Sequence, residues 1–187
     1  EYDIETWCQE GYRLYCPRWV EARDKKTGEM LFQSKNLWVI MDMIKGRPER
    51  PSYIDGRLPY VDPQLRHFDP ALPKFPSEDE YNEGSFDSLK VHPTYYDTDY
   101  NRHVNNISYI VWLMESFPHE YLDHNLPEFF DVEWKKQCHL GDEIRVETKK
   151  KENSEEYYTK ILRKCEDGSE EIAFHGITRW RKRVLDK

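Results

Sequence analysis

The chain is 187 residues long, 37% hydrophobic and 14% aromatic, with six Trp and thirteen Tyr, which is the composition of packed structure rather than disorder. Its net charge of −8 gives no support to nucleic-acid binding, and an acidic partner would need a local basic patch. No run has the length and apolarity of a membrane-spanning helix, and no basic-then-apolar leader opens the sequence.

Residues 1–45 read as strands: YDIETW, RLYCPRWVEARD and MLFQSKNLWVIMDMI, with DKKTGE as a hairpin turn between the last two. Residues 48–76 hold seven of the eleven prolines and predict a linker with little regular structure. A second block opens with the strand SLKVHPTYY. A helix is then expected from about Val104 to Phe117, stopped by Pro118. Tyr109, Trp112 and Leu113 lie opposite Ile107, Ile110 and Met114, so this helix is apolar nearly all round and predicted to be buried. Four strands follow: FFDVEWKKQC, EIRVETKK, EEYYTKILRKC and EIAFHGITRWRKR, with HLGD and EDGSE as turns. One helix against a sequential antiparallel sheet gives an α+β layer architecture.

The two blocks are related. Shifted by 142 residues without gaps, EYDIET falls on EIRVET, DKKTGE on EDGSEE, Tyr15 on Tyr157, Phe32 on Phe174 and Trp38 on Trp180. The first copy then lacks the opening strand and helix of the second. The expectation is that Glu1 stands inside a longer chain, the alternative being a truncated first unit.

Chemistry concentrates in DTDYNRHVNN. Asp and Asn before a helix satisfy orphan backbone N–H groups, which accounts for one or two of its polar residues. Asp99, Asn101 and His103 alternate, so in an extended lead-in they project to one side. An imidazole with a carboxylate and an amide beside it is a general base with a held tautomer, and helix-start amides with Asn101 could hold an oxyanion. Cys138, beside Gln137 at a strand end, reads either as a small buried hydrophobe or as a nucleophile brought near His and Asn. Cys8, Cys16, Cys138 and Cys165 are widely spaced and read as reduced thiols of a cytosolic protein; clustered zinc ligands are absent from the sequence. Lys135, Lys136, Arg145, Lys149–Lys151 and Arg179–Arg183 offer either solvated strand faces or a positive surface for an acidic carrier. His92, His119, His124, His139 and His175 show no paired spacing and read as non-functional.

DTDYNRHVNNISYIVWLMES resembles the D-x-D-x-N-x-H-V-N-N-x-x-Y-x-x-W segment of plant and bacterial acyl-acyl carrier protein thioesterases. VEWKKQCHLGD looks like that family's catalytic strand, and LWVIMDMIKGRPERP like its W-V-x-x-D strand and exit. The resemblance implies a tandem hotdog fold: residues 1–47 as the C-terminal part of a first hotdog domain, 48–86 as the linker and 87–187 as the second domain. It implies hydrolysis of fatty acyl-carrier thioesters without cofactor or metal, and acyl carrier protein as partner. The setting would be the cytoplasm, or the plastid stroma in a plant; a homodimer is left open. The family's catalytic Asp, Asn and His match Asp99, Asn101 and His103, its strand Glu matches Gln137, and its disputed nucleophilic Cys matches Cys138. Lys135, Lys136, Asn105 and Trp112 are the expected substrate- and carrier-binding residues. Gln137 departs from the pattern, because a neutral amide positions water without taking its proton. An acyl-CoA thioesterase and a non-catalytic acyl-binding module stay open as alternatives.

Overall fold

The structure, a computed structural model, describes residues 1–54, 56–57, 59–62, 75, 77–86 and 88–184. The chain divides into two compact units, Glu1–Leu72 and Pro73–Lys187.

The first unit is an antiparallel meander of β1 (Tyr2–Cys8), β2 (Tyr15–Asp24), β3 (Met30–Asp42) and β4 (Arg47–Glu49), in that order. The expected turn between β2 and β3 is present. Asp24 Oδ1 accepts from the Lys26 and Thr27 amides, and Gly28 sits at φ +73°. Only glycine adopts that left-handed backbone cheaply. The Pro-rich segment is more regular than expected where it is described, beginning with β4 and one 3₁₀ turn at Pro51–Ile54. Residues 63–74 of the expected linker lie outside the described residues.

In the second unit, β5 (Glu83–Ser85) and β6 (Leu89–Val91) pair with β8 (Ile144–Lys150). The sheet continues through β9 (Glu156–Lys164) and β10 (Glu170–Lys182) to β7 (Asn125–Trp134) at its edge. The edge position tolerates Pro127, which has no N–H for a ladder. Helices α1 (Asn106–Glu115) and α2 (His119–His124) lie between β6 and β7. Ile144, Val146 and Thr148 alternate inward along β8, so the period of two puts an apolar face toward α1. The core joins Tyr109, Trp112 and Leu113 of α1 to Val146, Ile161, Phe174 and Trp180. An antiparallel sheet carrying one long helix is the hotdog arrangement.

The 142-residue repeat survives folding. Shifted by that number, β1 falls on β8 end to end, and β2 and β3 fall on β9 and β10 within two residues. The side chains tell the copies apart. Phe174 and Trp180 are 0% and 4% exposed beneath α1, whereas their counterparts Phe32 and Trp38 are 49% and 59% exposed. Among the described residues the first unit has no α-helix over that face.

Three expectations need correction. Helix α1 starts at Asn106 because Asn105 Oδ1 accepts from the Ile107 amide and fixes an extended cap. It is buried on one face only: Ile107 and Val111 are 60% and 48% exposed. Strand β7 ends at Trp134 rather than Cys138, since Lys135 and Lys136 both donate their amides to the Ala173 carbonyl and the ladder stops.

Gly176 is where α1 approaches the sheet. A Cβ there would lie 2.9 Å from Val132 Cγ1 and 3.4 Å from Leu113 Cδ1. Gly176→Ala is expected to destabilise the second unit by about 1–3 kcal/mol through overpacking. Chemical denaturation measures it, and an unchanged midpoint would contradict this packing.

Candidate functional site

The polar stretch folds as two nested caps and a tight loop, not as an extended lead-in. Asp97 closes a 3₁₀ turn, its carboxylate accepting from the Thr94 amide and hydroxyl, both at 2.7 Å. Partial burial opposes ionisation of Asp97, but those two donors prevail and hold its carboxyl below the usual range. The stability this contributes is present above the ordinary carboxylate pKa and is lost as pH falls through the depressed one.

Asp99 has a different task from the one expected. Its Oδ1 accepts from the amides of Asn101 at 2.8 Å and His103 at 3.1 Å, and its own amide donates to the His103 carbonyl at 2.8 Å. Arg102 takes the left-handed conformation at φ +63° to complete the loop. The carboxylate therefore organises the backbone of 99–103, not the His103 imidazole. Asp99 and Asn101 are exposed and His103 is half-buried.

The loop is tied to the segment after β7. The Val104 amide donates to the Cys138 carbonyl at 2.8 Å, and His103 forms an isolated antiparallel bridge with His139. Around Gln137 and Cys138 the main chain is held by side chains in place of a ladder. The Tyr109 hydroxyl, from α1, accepts from the Cys138 amide at 2.9 Å and lies 3.5 Å from the Lys136 carbonyl. Arg163 Nη1 donates to the Gln137 carbonyl at 2.7 Å and also pairs with Glu171. This leaves the Gln137 side chain exposed beside the loop, with no hydrogen bond among the described residues.

Cys138 is fully buried. Burial pushes its thiol pKa up, against a smaller opposite pull from the Tyr109 hydroxyl. A protonated thiol is a poor nucleophile. Cys138→Ala is expected to leave turnover near the wild-type rate in any thioesterase assay; abolished turnover would restore the thiol as nucleophile.

The remaining expected site residues are spread more widely. Trp112 is a core residue packed at 5.4 Å on Tyr109, and the Asn105 side chain is occupied by its cap. Lys135 and Lys136 are exposed beside Gln137, at 3.6 Å from Glu133 and 4.0 Å from Glu171. Arg145, Lys149, Lys150 and Lys151 each pair with glutamates of the same unit, which neutralises part of the expected basic surface. Glu133 is bound at 2.7 Å by Nε2 of the buried His175, whose Nδ1 lies 3.1 Å from the Tyr158 hydroxyl. It therefore offers no carboxylate in place of Gln137. Both His139 and His175, read as non-functional, have specific ring contacts. No sequence spacing could have signalled them, since strand pairing brings their partners.

No group of three or more His, Cys, Asp or Glu side chains suited to a metal occurs among the described residues. No described helix is long and apolar enough to cross a membrane.

The sequence model of the acyl-ACP thioesterase C-terminal domain matches residues 80–182, and that of the N-terminal domain matches residues 1–52. Oleoyl-acyl carrier protein thioesterase 2, chloroplastic, of Arabidopsis thaliana is 29% identical over 97% of this chain and 56% of its own length. A chloroplastic dodecanoyl-[acyl-carrier-protein] hydrolase of Cinnamomum camphora is 27% identical over 88% of this chain and 44% of its own. The chain thus spans about half the length of the curated relatives it matches. Among solved structures, the 12:0-ACP thioesterase from Umbellularia californica superposes with a TM-score of 0.73 at 22% identity, covering 97% of this chain and 68% of that one. An acyl-ACP thioesterase from Bacteroides thetaiotaomicron gives 0.70 at 21% identity, over 96% and 68% of the two chains. Likeness at these identities shows a shared fold.

Proposed function

The chain belongs to the acyl-ACP thioesterase family, and from that premise we propose that it hydrolyses the thioester between a fatty acyl chain and acyl carrier protein, releasing free fatty acid. The observation that carries the reading is the bond from the Val104 amide to the Cys138 carbonyl at 2.8 Å, which with the His103–His139 bridge ties the His103 end of the loop to the segment after β7. The Asn101 side-chain amide and the Asn106 backbone N–H hold the thioester carbonyl at the positive end of α1. His103 takes a proton from water as it attacks the carbonyl carbon. The tetrahedral intermediate then expels the thiolate, which recovers that proton. Gln137 positions the water from the other side; Asp99 acts by holding the loop. Lys135 and Lys136, exposed beside Gln137, offer positive charge to an acidic carrier.

We read residues 1–47 as part of a first hotdog domain, 48–86 as the linker and 87–187 as the second. The setting we propose is the cytoplasm, or the plastid stroma for a plant source, in keeping with the chloroplastic relatives. Thiol release from acyl-carrier and acyl-CoA thioesters of one chain length tests the activity. Faster release from the carrier thioester is expected. Preference for CoA would assign the chain to acyl-CoA hydrolysis, and stoichiometric lipid binding without thiol release would make it a binding module.

A further inference from the structure

Every chemical role given to His103 requires its imidazole to point one way, and the carboxylate expected to orient it is engaged elsewhere. Asp99 Oδ1 is taken by two backbone amides, and the His103 ring makes no hydrogen bond among the described residues. What does meet that ring is a second imidazole. The rings of His103 and His139 lie edge to face, with centroids 5.3 Å apart and planes at 81°. Aromatic rings favour this arrangement, and it is worth more than area burial alone. It is built into the backbone, because the two residues are direct partners in an antiparallel bridge and their side chains share a face.

His139 is itself held. Its amide donates to Asp142 Oδ2 at 2.8 Å, while the Asp142 amide returns to the His139 carbonyl at 3.2 Å across a turn with Gly141 at φ +90°. Asp142 Oδ2 also stands 4.0 Å from His139 Nδ1 and 3.9 Å from Arg163, the residue that clamps the Gln137 carbonyl. The chain of support runs from Arg163 through Asp142 to His139 and ends on the His103 ring.

We propose that His139 is the positioning residue of this site, fixing the His103 imidazole by ring contact in the role that the Asp99 carboxylate does not fill. The inference rests on the functional reading of His103 given above. Its sequence signal was invisible because the two histidines are 36 positions apart and meet only through the bridge.

The test compares His139→Ala and His139→Phe by steady-state kinetics on an acyl-carrier thioester and by NMR of the His103 ring protons. Thermal melts establish that both variants are folded. His139→Ala is expected to lower kcat about ten- to a hundredfold with KM unchanged, since a small misplacement of a catalytic group carries a loss of that order. Its His103 resonances should move as the neighbouring ring is lost. His139→Phe keeps an aromatic face without a titrating nitrogen and should restore most of the rate. Equal losses in both variants, unchanged His103 resonances in His139→Ala, or a wild-type kcat in that variant would each overturn the proposal. If the wild-type protein cleaves no thioester, the functional reading fails, while the resonances still report whether His139 holds the ring.

Discussion

His103→Ala is expected to reduce thioester turnover about 10²–10⁴-fold, the contribution of one well-placed general base. The value follows from what else the mouth offers. Gln137 is neutral, Asp99 is engaged with the Asn101 and His103 amides, Glu133 is bound to His175, and the Cys138 thiol is kept protonated by burial. This leaves His103 as the group to which we assign proton transfer from water. The loss should fall on kcat with little change in KM, because a general base acts in the transition state and not in ground-state binding. His103→Ala should fold normally, since the loop is held through the His103 backbone and not its ring. A variant with near-normal kcat would remove His103 from the chemistry altogether.

Phe117→Ala is expected to cost about 3–5 kcal/mol of stability, the range for deleting a buried phenylalanine. Phe117 follows α1 and is 2% exposed, so little water reaches the site to fill a cavity. Its ring meets Trp180 at 4.6 Å, Tyr157 at 5.0 Å, Phe86 at 5.3 Å and Tyr121 at 5.5 Å. Those partners come from β10, β9, the segment between β5 and β6, and α2, so one side chain joins four parts of the unit. Calorimetry should show Tm lower by roughly 10–20 °C at the usual conversion for a domain of this size. A fall of only a degree or two would mean that the cluster relaxes around the gap and does not anchor the end of α1.

Much of the architecture was legible because it follows from period and turn chemistry. DKKTGE, with Gly28 at φ +73°, had to turn, and the 142-residue repeat placed β1 on β8 before either strand was seen. That one of the polar residues before the apolar run would cap the helix was legible, although Asn105, expected to bind substrate, is the one that does so. What escaped was set by tertiary partners. Alternating Asp99, Asn101 and His103 looked extended, yet a carboxylate able to accept two local amides favours a tight loop, and Arg102 pays the left-handed strain. Helical periodicity marked Ile107 as core, although it carries no information on what covers a face. Strand β7 was expected at 129–138 and runs at 125–134, because two amides sharing the Ala173 carbonyl end the ladder and leave no trace in composition. The contacts of His139 with His103 and of His175 with Glu133 and Tyr158 arise only once strands pair.

The central claim is direct hydrolysis by water activated at His103, with Cys138 serving the packing of the strand end. Intact-mass analysis of the protein, acid-quenched during turnover of an acyl-carrier thioester, addresses it most directly when run in ¹⁸O-labelled water. The account predicts unmodified protein throughout and one ¹⁸O atom in the fatty acid released. Acylated protein, with the added mass localised to Cys138, would contradict it.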